Sequence, residues 1–512
     1  MADSSFDQKL DDWQRLSPLS ILFFIGKIIG SILKEGIATL APLGIVIFSS
    51  DNKLWLTLSI IGVAFIFILL NSFLQYWFFK FKRDGNKVLI NDGIFKKNHR
   101  VIQFDRIQNI NILQPVYFKP FHLVTLQIET AGAKGNEADL AGISRGFAEY
   151  LRNQVLQQKQ QFNQVSEEQL EVSETNTYLI AQASLKDLVK YGVSSNGMFW
   201  FFAFLAPLFP MIENYVEDAV NRESFLKLEE FLGGGVGADA IIVIGIILIA
   251  IILMFSVSII GAIVRYFNYQ LTLDAHHSKT NKKMLKRSSG LITNYEESLK
   301  LQKVQTMITQ SNFIGRWLKV INITLGQVSS TQNTPNAKKS LFVIPARTNK
   351  ETLQIQGKVF NDSPDKIETQ GIDRRYVIKT LILKVIVPSI AICLPLYLTN
   401  DKWWWLVIPV IFSIVMFPLI VRRWRAYRFG MKDGYAKFER GLFGFRHMIF
   451  PLYKVQRAEV KQSPFQAKRD LSTLKIYLAS GQVQMQYIPI DVANQWLDII
   501  GNHIEDSQLA WY

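Results

Sequence analysis

Cysteine is almost missing from this chain: Cys393 is the one thiol in 512 residues, and it lies inside an apolar run. A disulfide framework and a cysteine-built metal site are both excluded. Histidine is scarce, at six residues. Only His276 and His277 adjoin, and neighbours on a strand point to opposite sides, so neither a metal site nor any other cofactor is expected. There is no Gly-rich loop ending in Gly-Lys-Ser/Thr and no Gly-x-Ser-x-Gly elbow. Gly233-Gly234-Gly235-Val236-Gly237 lacks a following lysine and reads as a flexible linker. No catalytic residues are therefore assigned. Residues 1–16 form a polar tail with Asp3, Asp7, Asp11 and Asp12, which does not fit a secretory signal peptide. The C-terminus shows no lipidation signal.

Charge is also missing from long stretches. A helix crossing ~30 Å of hydrocarbon needs roughly 20 mostly apolar residues. Leu54–Phe79, Tyr191–Ile212 and Ala240–Val264 meet that length without a charge, and Trp403–Val421 falls one residue short of it. Tyr376–Thr399 carries Lys379 and Lys384 near its start, where long side chains reach the interface. A sixth span is expected over about 36–50, preceded by an amphipathic surface helix from 17; a helix lying on the membrane is the competing reading. The segments pair into hairpins at 17–79, 184–264 (spans 191–212 and 240–264) and 376–423 (spans 376–399 and 403–423). Ser184 with Asp187 forms a capping-box pattern that starts a surface helix before the third span.

The short connectors are poor in positive charge. Glu213–Asp239 also holds Glu217, Asp218, Glu223, Glu229 and Glu230 against Arg222 and Lys227. The opposite helix ends carry Lys80, Lys82, Arg83, Arg374, Arg375, Arg422, Arg423, Arg425 and Arg428. Lys and Arg collect on the cytoplasmic side, so the long segments 80–175, 265–375 and 424–512 are expected there, all on one face. Trp77, Trp403-Trp404-Trp405 and Trp424 read as interfacial anchors.

Those three segments repeat. Gly93, Gly290 and Gly441 each sit in a turn-like context, and thirteen residues later come Arg106-Ile107-Gln108, Lys303-Val304-Gln305 and Lys454-Val455-Gln456. Each copy then shows a Gln and an aromatic: Gln114 with Tyr117, Gln310 with Phe313, Gln462 with Phe465. An alternating strand follows, then a helix, roughly Ser144–Gln157, Asn349–Phe360 and Asp491–Ile504. Alternation gives one buried and one wet face, and Gly accepts a hairpin turn without penalty. The glycines are expected to be structural. The triplet aliphatic is expected in the core, with Arg106, Gln108, Lys303, Gln305, Lys454 and Gln456 on the surface as candidate contact residues. The net charge of +15 is carried by these segments, beside an anionic leaflet where each basic group is worth ~1 kcal/mol. Anionic lipid headgroups thus explain the charge without nucleic acid.

A hairpin, then a β-rich domain with Gly and a Lys/Arg-aliphatic-Gln triplet, three times over, resembles the YdbT-like bacterial membrane proteins. Their soluble units are pleckstrin-homology-like (PH-like) domains of the bacterial PH type 2. The resemblance covers all but the first 15 residues. It implies three small split barrels, each closed by a C-terminal helix, attached to membrane-embedded helical hairpins. It implies no catalytic residues, an inner-membrane location, and a partner membrane protein carrying a single related domain; a homo-oligomer is compatible with it. The expected function is a non-enzymatic scaffold binding anionic lipid or a partner, in envelope stress or resistance to membrane-active compounds. The rivals are a transporter or export-system component, and a lipid-modifying membrane enzyme.

Overall fold

The computed structural model describes residues 12–31, 52–94, 96–130, 136–162, 176–195, 236–275, 283–327, 341–360, 367–400 and 404–506. They form two compact units: residues up to Tyr178 with Thr272–Leu299, and Leu179–Leu271 with the described residues from Lys300 onward. The division passes through the second repeat, between its third and fourth strands.

Each repeat has the same order of elements: three strands, a 3₁₀ turn, three more strands and a helix. In the first these are β2 (Lys80–Asp84), β3 (Lys87–Asp92), β4 (Asn98–Gln103), Phe104–Arg106, β5 (Ile107–Gln114), β6 (Leu123–Thr130), β7 (Asn136–Ser144) and the Arg145–Phe162 helix. The second has β9 (Gln270–Ala275), β10 (Lys283–Ser289), β11 (Asn294–Lys300), Leu301–Lys303, β12 (Val304–Ser311), β13 (Ile321–Gln327), β14 (Leu341–Arg347) and Asn349–Val359. The third has β16 (Arg428–Lys432), β17 (Tyr435–Arg440), β18 (Phe445–Pro451), Leu452–Lys454, β19 (Val455–Lys461), β20 (Leu471–Leu478), β21 (Gly481–Pro489) and Ile490–Asp506. Three short strands precede the repeats: β1 (Gln14–Arg15), β8 (Asn176–Gln182) and β15 (Gln370–Gly371). His122, Lys319 and Asp470 occupy one position of the repeat, and all three are left-handed, at φ 53°, 56° and 53°.

The barrels are split as expected: in the first and third repeats the core is shared by the two three-stranded halves and the helix. In the first repeat Phe81, Ile90 and Ile102 of the first half pack with Ile112, Leu126 and Leu140 of the second and with Phe147 and Leu151 of the helix. In the third, Trp496 of the helix packs edge-on against Phe429 and Phe438, at 5.5 and 6.0 Å.

What the repeat pattern does not announce is how the halves join. The sheets run β1-β2-β3-β4, then β7-β6-β5-β11-β10-β9-β8, then β14-β13-β12-β18-β17-β16-β15, then β19-β20-β21. The second half of one repeat continues into the first half of the next. β5 pairs antiparallel with β11, and β12 pairs antiparallel with β18. The strand before a hairpin also pairs with the strand after it. Gln14 and Arg15 lie opposite Phe81 and Lys80, and Gln370 and Gly371 lie opposite Phe429 and Arg428.

Four helices among the described residues are long and apolar enough to cross a membrane: Trp55–Phe78, Leu248–Tyr266, Arg375–Thr399 and Trp405–Arg425. Their apolar side chains are largely exposed, as Trp55, Val63, Ile249, Leu398 and Ile414 show, which suits lipid rather than water. The last two pack through Val377, Val385 and Ile420. The span expected over about 36–50 and nearly all of 191–212 lie outside the described residues. Helix Leu185–Ser194 begins with the expected Ser184–Asp187 capping box. It packs closely on Val236–Tyr266, because Gly192 has no side chain: a Cβ there would sit 2.6 Å from Ile259 Cα. Ser258 Oγ donates to the Gly192 carbonyl at 2.6 Å, closing the contact.

Candidate functional site

The basic-aliphatic-Gln triplet falls at one place in every repeat. Its cation ends the 3₁₀ turn and its aliphatic begins the fourth strand. Ile107, Val304 and Val455 are all in the core, as expected. The ladder to the next strand shifts register between Ile107 and Asn109, between Val304 and Thr306, and between Val455 and Arg457. The Gln is therefore the extra residue of a β-bulge in each copy. A bulge breaks strict alternation and re-aims the side chains around it.

This corrects the expectation that all six flanking residues lie on the surface. Arg106 and Gln456 are exposed and Lys303 is half-buried, while the Gln108 side chain lies outside what is described. Gln305 and Lys454 are buried, with 1% and 3% of their surface exposed. Lys454 Nζ donates to the Val304 carbonyl at 2.8 Å and also to that of Gln302. Both carbonyls belong to the preceding repeat. Burial pulls the Lys454 pKa down to about 8. A buried ammonium is tolerable only when its protons are taken up, and here carbonyls take them. The triplet cation of the third repeat is a junction residue.

Other cations do the same. Arg145 pairs with Glu296 at 2.5 Å, across the junction of the first and second repeats. Lys119 and Arg316, equivalent by position, donate to the carbonyls of Leu291 and Phe443 at 2.8 and 3.5 Å, in the glycine turn of the following repeat.

The turn glycines have a common cause. A Cβ on Gly93, Gly290 or Gly441 would stand 2.0, 1.9 or 2.2 Å from the carbonyl oxygen of Lys96, Thr293 or Gly444. Gly93 and Gly290 also hold φ of +103° and +122°. The Gln-aromatic pattern needs one amendment. Gln114 and Gln462 each donate to a carbonyl nine residues on, Leu123 and Leu471. In the second repeat Ser311, not Gln310, fills that role, its Oγ donating to the Val320 carbonyl at 2.7 Å.

The second candidate region is at the roots of the helices. In the first unit Arg15 lies over the Trp77 ring at 4.4 Å and Lys82 over Trp13 at 5.4 Å. In the second, Arg422 lies over Phe443 at 5.4 Å and Lys379 over Tyr487 at 5.2 Å, while Trp424 Nε1 donates to the Ile372 carbonyl at 2.8 Å. Arg374, Arg375, Arg423, Arg425 and Arg428 stand exposed beside them. Such cation–π pairs hold the guanidinium and ammonium groups at the level where apolar helix gives way to polar domain. Among the described residues no group of three or more His, Cys, Asp or Glu is arranged around a metal position. His276 and His277 lie outside the described residues.

Apolar hairpins, basic roots and three chained split barrels define a transmembrane protein built on a PH-like repeat. The sequence profile of the bacterial PH domain matches residues 23–159, 225–359 and 381–504, and the chain belongs to that family. Each match begins upstream of the strands, so the unit of repetition includes membrane helix. The chain is also similar to the UPF0699 transmembrane protein YdbT of Bacillus subtilis (strain 168), at 23% identity over 449 residues, covering 85% of this chain and 86% of that one. The family is one of transmembrane bacterial PH domain proteins and is not a known enzyme family.

Proposed function

We propose that this protein is a non-enzymatic inner-membrane scaffold that holds three PH-like domains against the cytoplasmic leaflet, where its basic helix roots bind anionic headgroups. The observation that carries this reading is the placement of Arg422, Arg423 and Arg425 at the end of an exposed apolar helix, with Arg428 opening the strand that follows. Cations there meet the anionic surface within a Debye length.

One-sidedness has physical support. An open-edged β-sheet cannot sit in the bilayer interior, so the open sheets holding β5–β11 and β12–β18 each tie two neighbouring repeats to one face. β11 and β12 are separated only by Leu301–Lys303, too short to cross. The pairing of β1 with β2 requires an even number of crossings between them, which supports a span over about 36–50 beside the Lys53–Phe78 helix. A platform of this kind suits a role in envelope stress or in resistance to membrane-active compounds.

Native mass spectrometry of the full chain from nanodiscs of equal anionic and zwitterionic lipid tests the binding. Retained lipid should be mostly anionic, and the enrichment should fall when Arg422, Arg423, Arg425 and Arg428 are changed to Gln. Equal retention of both lipids by the unaltered protein contradicts the proposal.

A further inference from the structure

The two junctions between repeats use one register. In the first, Gln114, Leu113 and Ile112 lie opposite Asn294, Tyr295 and Glu296. In the second, Ser311, Gln310 and Thr309 lie opposite Phe445, Arg446 and His447. Counted from Gly93, Gly290 and Gly441, these are the same positions, residue for residue. The chain therefore contains one docking geometry used twice, and each of its ends carries one half of a third. At one end β4 is the last strand of its sheet; at the other, β19 is the last strand of its own. Their surfaces differ from those of their paired equivalents. Val101 of β4 is 54% exposed where Ile449 of β18 is 6% exposed. Gln456 and Arg457 of β19 are exposed where Gln305 and Thr306 of β12 are buried.

We infer that β19 of one copy pairs antiparallel with β4 of a second copy in the register of the internal junctions, joining molecules head to tail in the plane of the membrane. A second copy is the occupant because it brings the very strand that β19 lacks, on the same membrane face. In that register Ala458 lies opposite Val101 of the second copy, an apolar pair that stands where Met307 and Ile449 meet inside the chain. Glu459, which pairs with Arg457 and Lys461 and accepts from Tyr477 in its own copy, lies opposite Arg100, which pairs with Asp92 in the other; the register brings these opposite charges together across the antiparallel pair. The exposed Arg106 of the second copy comes to the carbonyls of Tyr453 and Val455, as Lys454 comes to those of Gln302 and Val304. The contact is heterologous, so it produces closed rings or open chains, not an isologous dimer.

The test uses the full chain in nanodiscs or mild detergent, with Cys393→Ser. Protein carrying Ala458→Cys is mixed with protein carrying Val101→Cys and oxidised. A disulfide-linked product at twice the 58.7 kDa monomer mass is expected from the mixture and from neither protein alone. Adding Glu459→Lys to the first protein should cut the yield by at least about fivefold, and adding Arg100→Glu to the second should restore it. That rescue cannot come from a protein that has failed to fold. The inference is overturned if the mixture stays monomeric at all concentrations. Self-linking of the Ala458→Cys protein overturns it too, since that means β19 pairs with β19. So does linkage of position 458 in native membranes to another protein with one related domain.

Discussion

Arg106 and Lys454 hold the same place in their repeats, yet one is exposed and the other has 3% of its surface exposed. Nothing local separates them: both end a 3₁₀ turn and both precede a core aliphatic and a bulged Gln. The difference is the neighbour. Lys454 covers the carbonyls of the repeat before it, whereas Arg106 lies in the first of the three matched repeats. The same holds for β4 against β18. In this chain a residue's environment is set by its repeat's position in the row, and a motif that looks like a surface ligand site is a joint between modules.

The sharpest way to break this comparison is to put a charge at one position in two repeats. Measured on the isolated monomer, Ile449→Lys places an ammonium inside the β12–β18 junction and should lower unfolding free energy by about 3–5 kcal/mol, whereas Val101→Lys on β4 should change it by less than about 0.5 kcal/mol. Denaturant titration followed by tryptophan fluorescence measures both. Equal losses would mean that the two strands share one environment.

The glycines give a smaller contrast. Gly290→Ala brings a Cβ to 1.9 Å from the Thr293 carbonyl at φ +122° and should cost about 2–3 kcal/mol. Gly85 is also left-handed, at φ +56°, but has nothing within 4 Å of a new Cβ, so Gly85→Ala should cost about 1 kcal/mol. Thermal melting of the two variants separates the clash from the backbone strain.

Lys454→Met leaves the Gln302 and Val304 carbonyls without that donor and should destabilise the chain by about 1–3 kcal/mol, while Arg106→Met, at an exposed position, should cost the single molecule less. The pH dependence isolates the buried ammonium. With the folded pKa near 8 and an ordinary value of 10.5, Lys454 is protonated in both states below about pH 8. Between those two values the unfolded chain binds the proton and the folded chain does not, so stability rises with pH. The stability of the native protein relative to Lys454→Met should therefore improve by about 1 kcal/mol per pH unit above pH 8, and stay flat below it. A relative stability that falls over this range would show that Lys454 is not held in a desolvating site.

Much of this architecture was legible in the chain. Uncharged runs located the four membrane-length helices of the described residues to within a few residues at most of their ends, because hydrocarbon tolerates so few alternatives. The fixed offset from glycine to triplet exposed the repeat, because hairpin geometry leaves little freedom there. The junctions are not legible in the repeat pattern, because periodicity reports which face of a strand is buried and says nothing about its edges. One signal was nonetheless present. Val304-Gln305-Thr306-Met307-Ile308-Thr309 is uncharged, while Val455–Lys461 carries Arg457, Glu459 and Lys461. Edge strands carry charge and paired ones do not need it. The burial of Lys454 and Gln305 was hidden by the bulge, which breaks a strict in-and-out alternation at the triplet. Gln310 shares the residue type of Gln114 but not its strand position, which belongs to Ser311, doing the same work with a shorter side chain.

Disulfide formation between Gln310→Cys and Arg446→Cys, in the Cys393→Ser background and in intact membranes, tests the joined-module account most directly. The account predicts a bond within single molecules that forms at any protein density and leaves the apparent mass unchanged. Two thiols that stay free under oxidation, or that react with an impermeant reagent from opposite sides of the membrane, would contradict it.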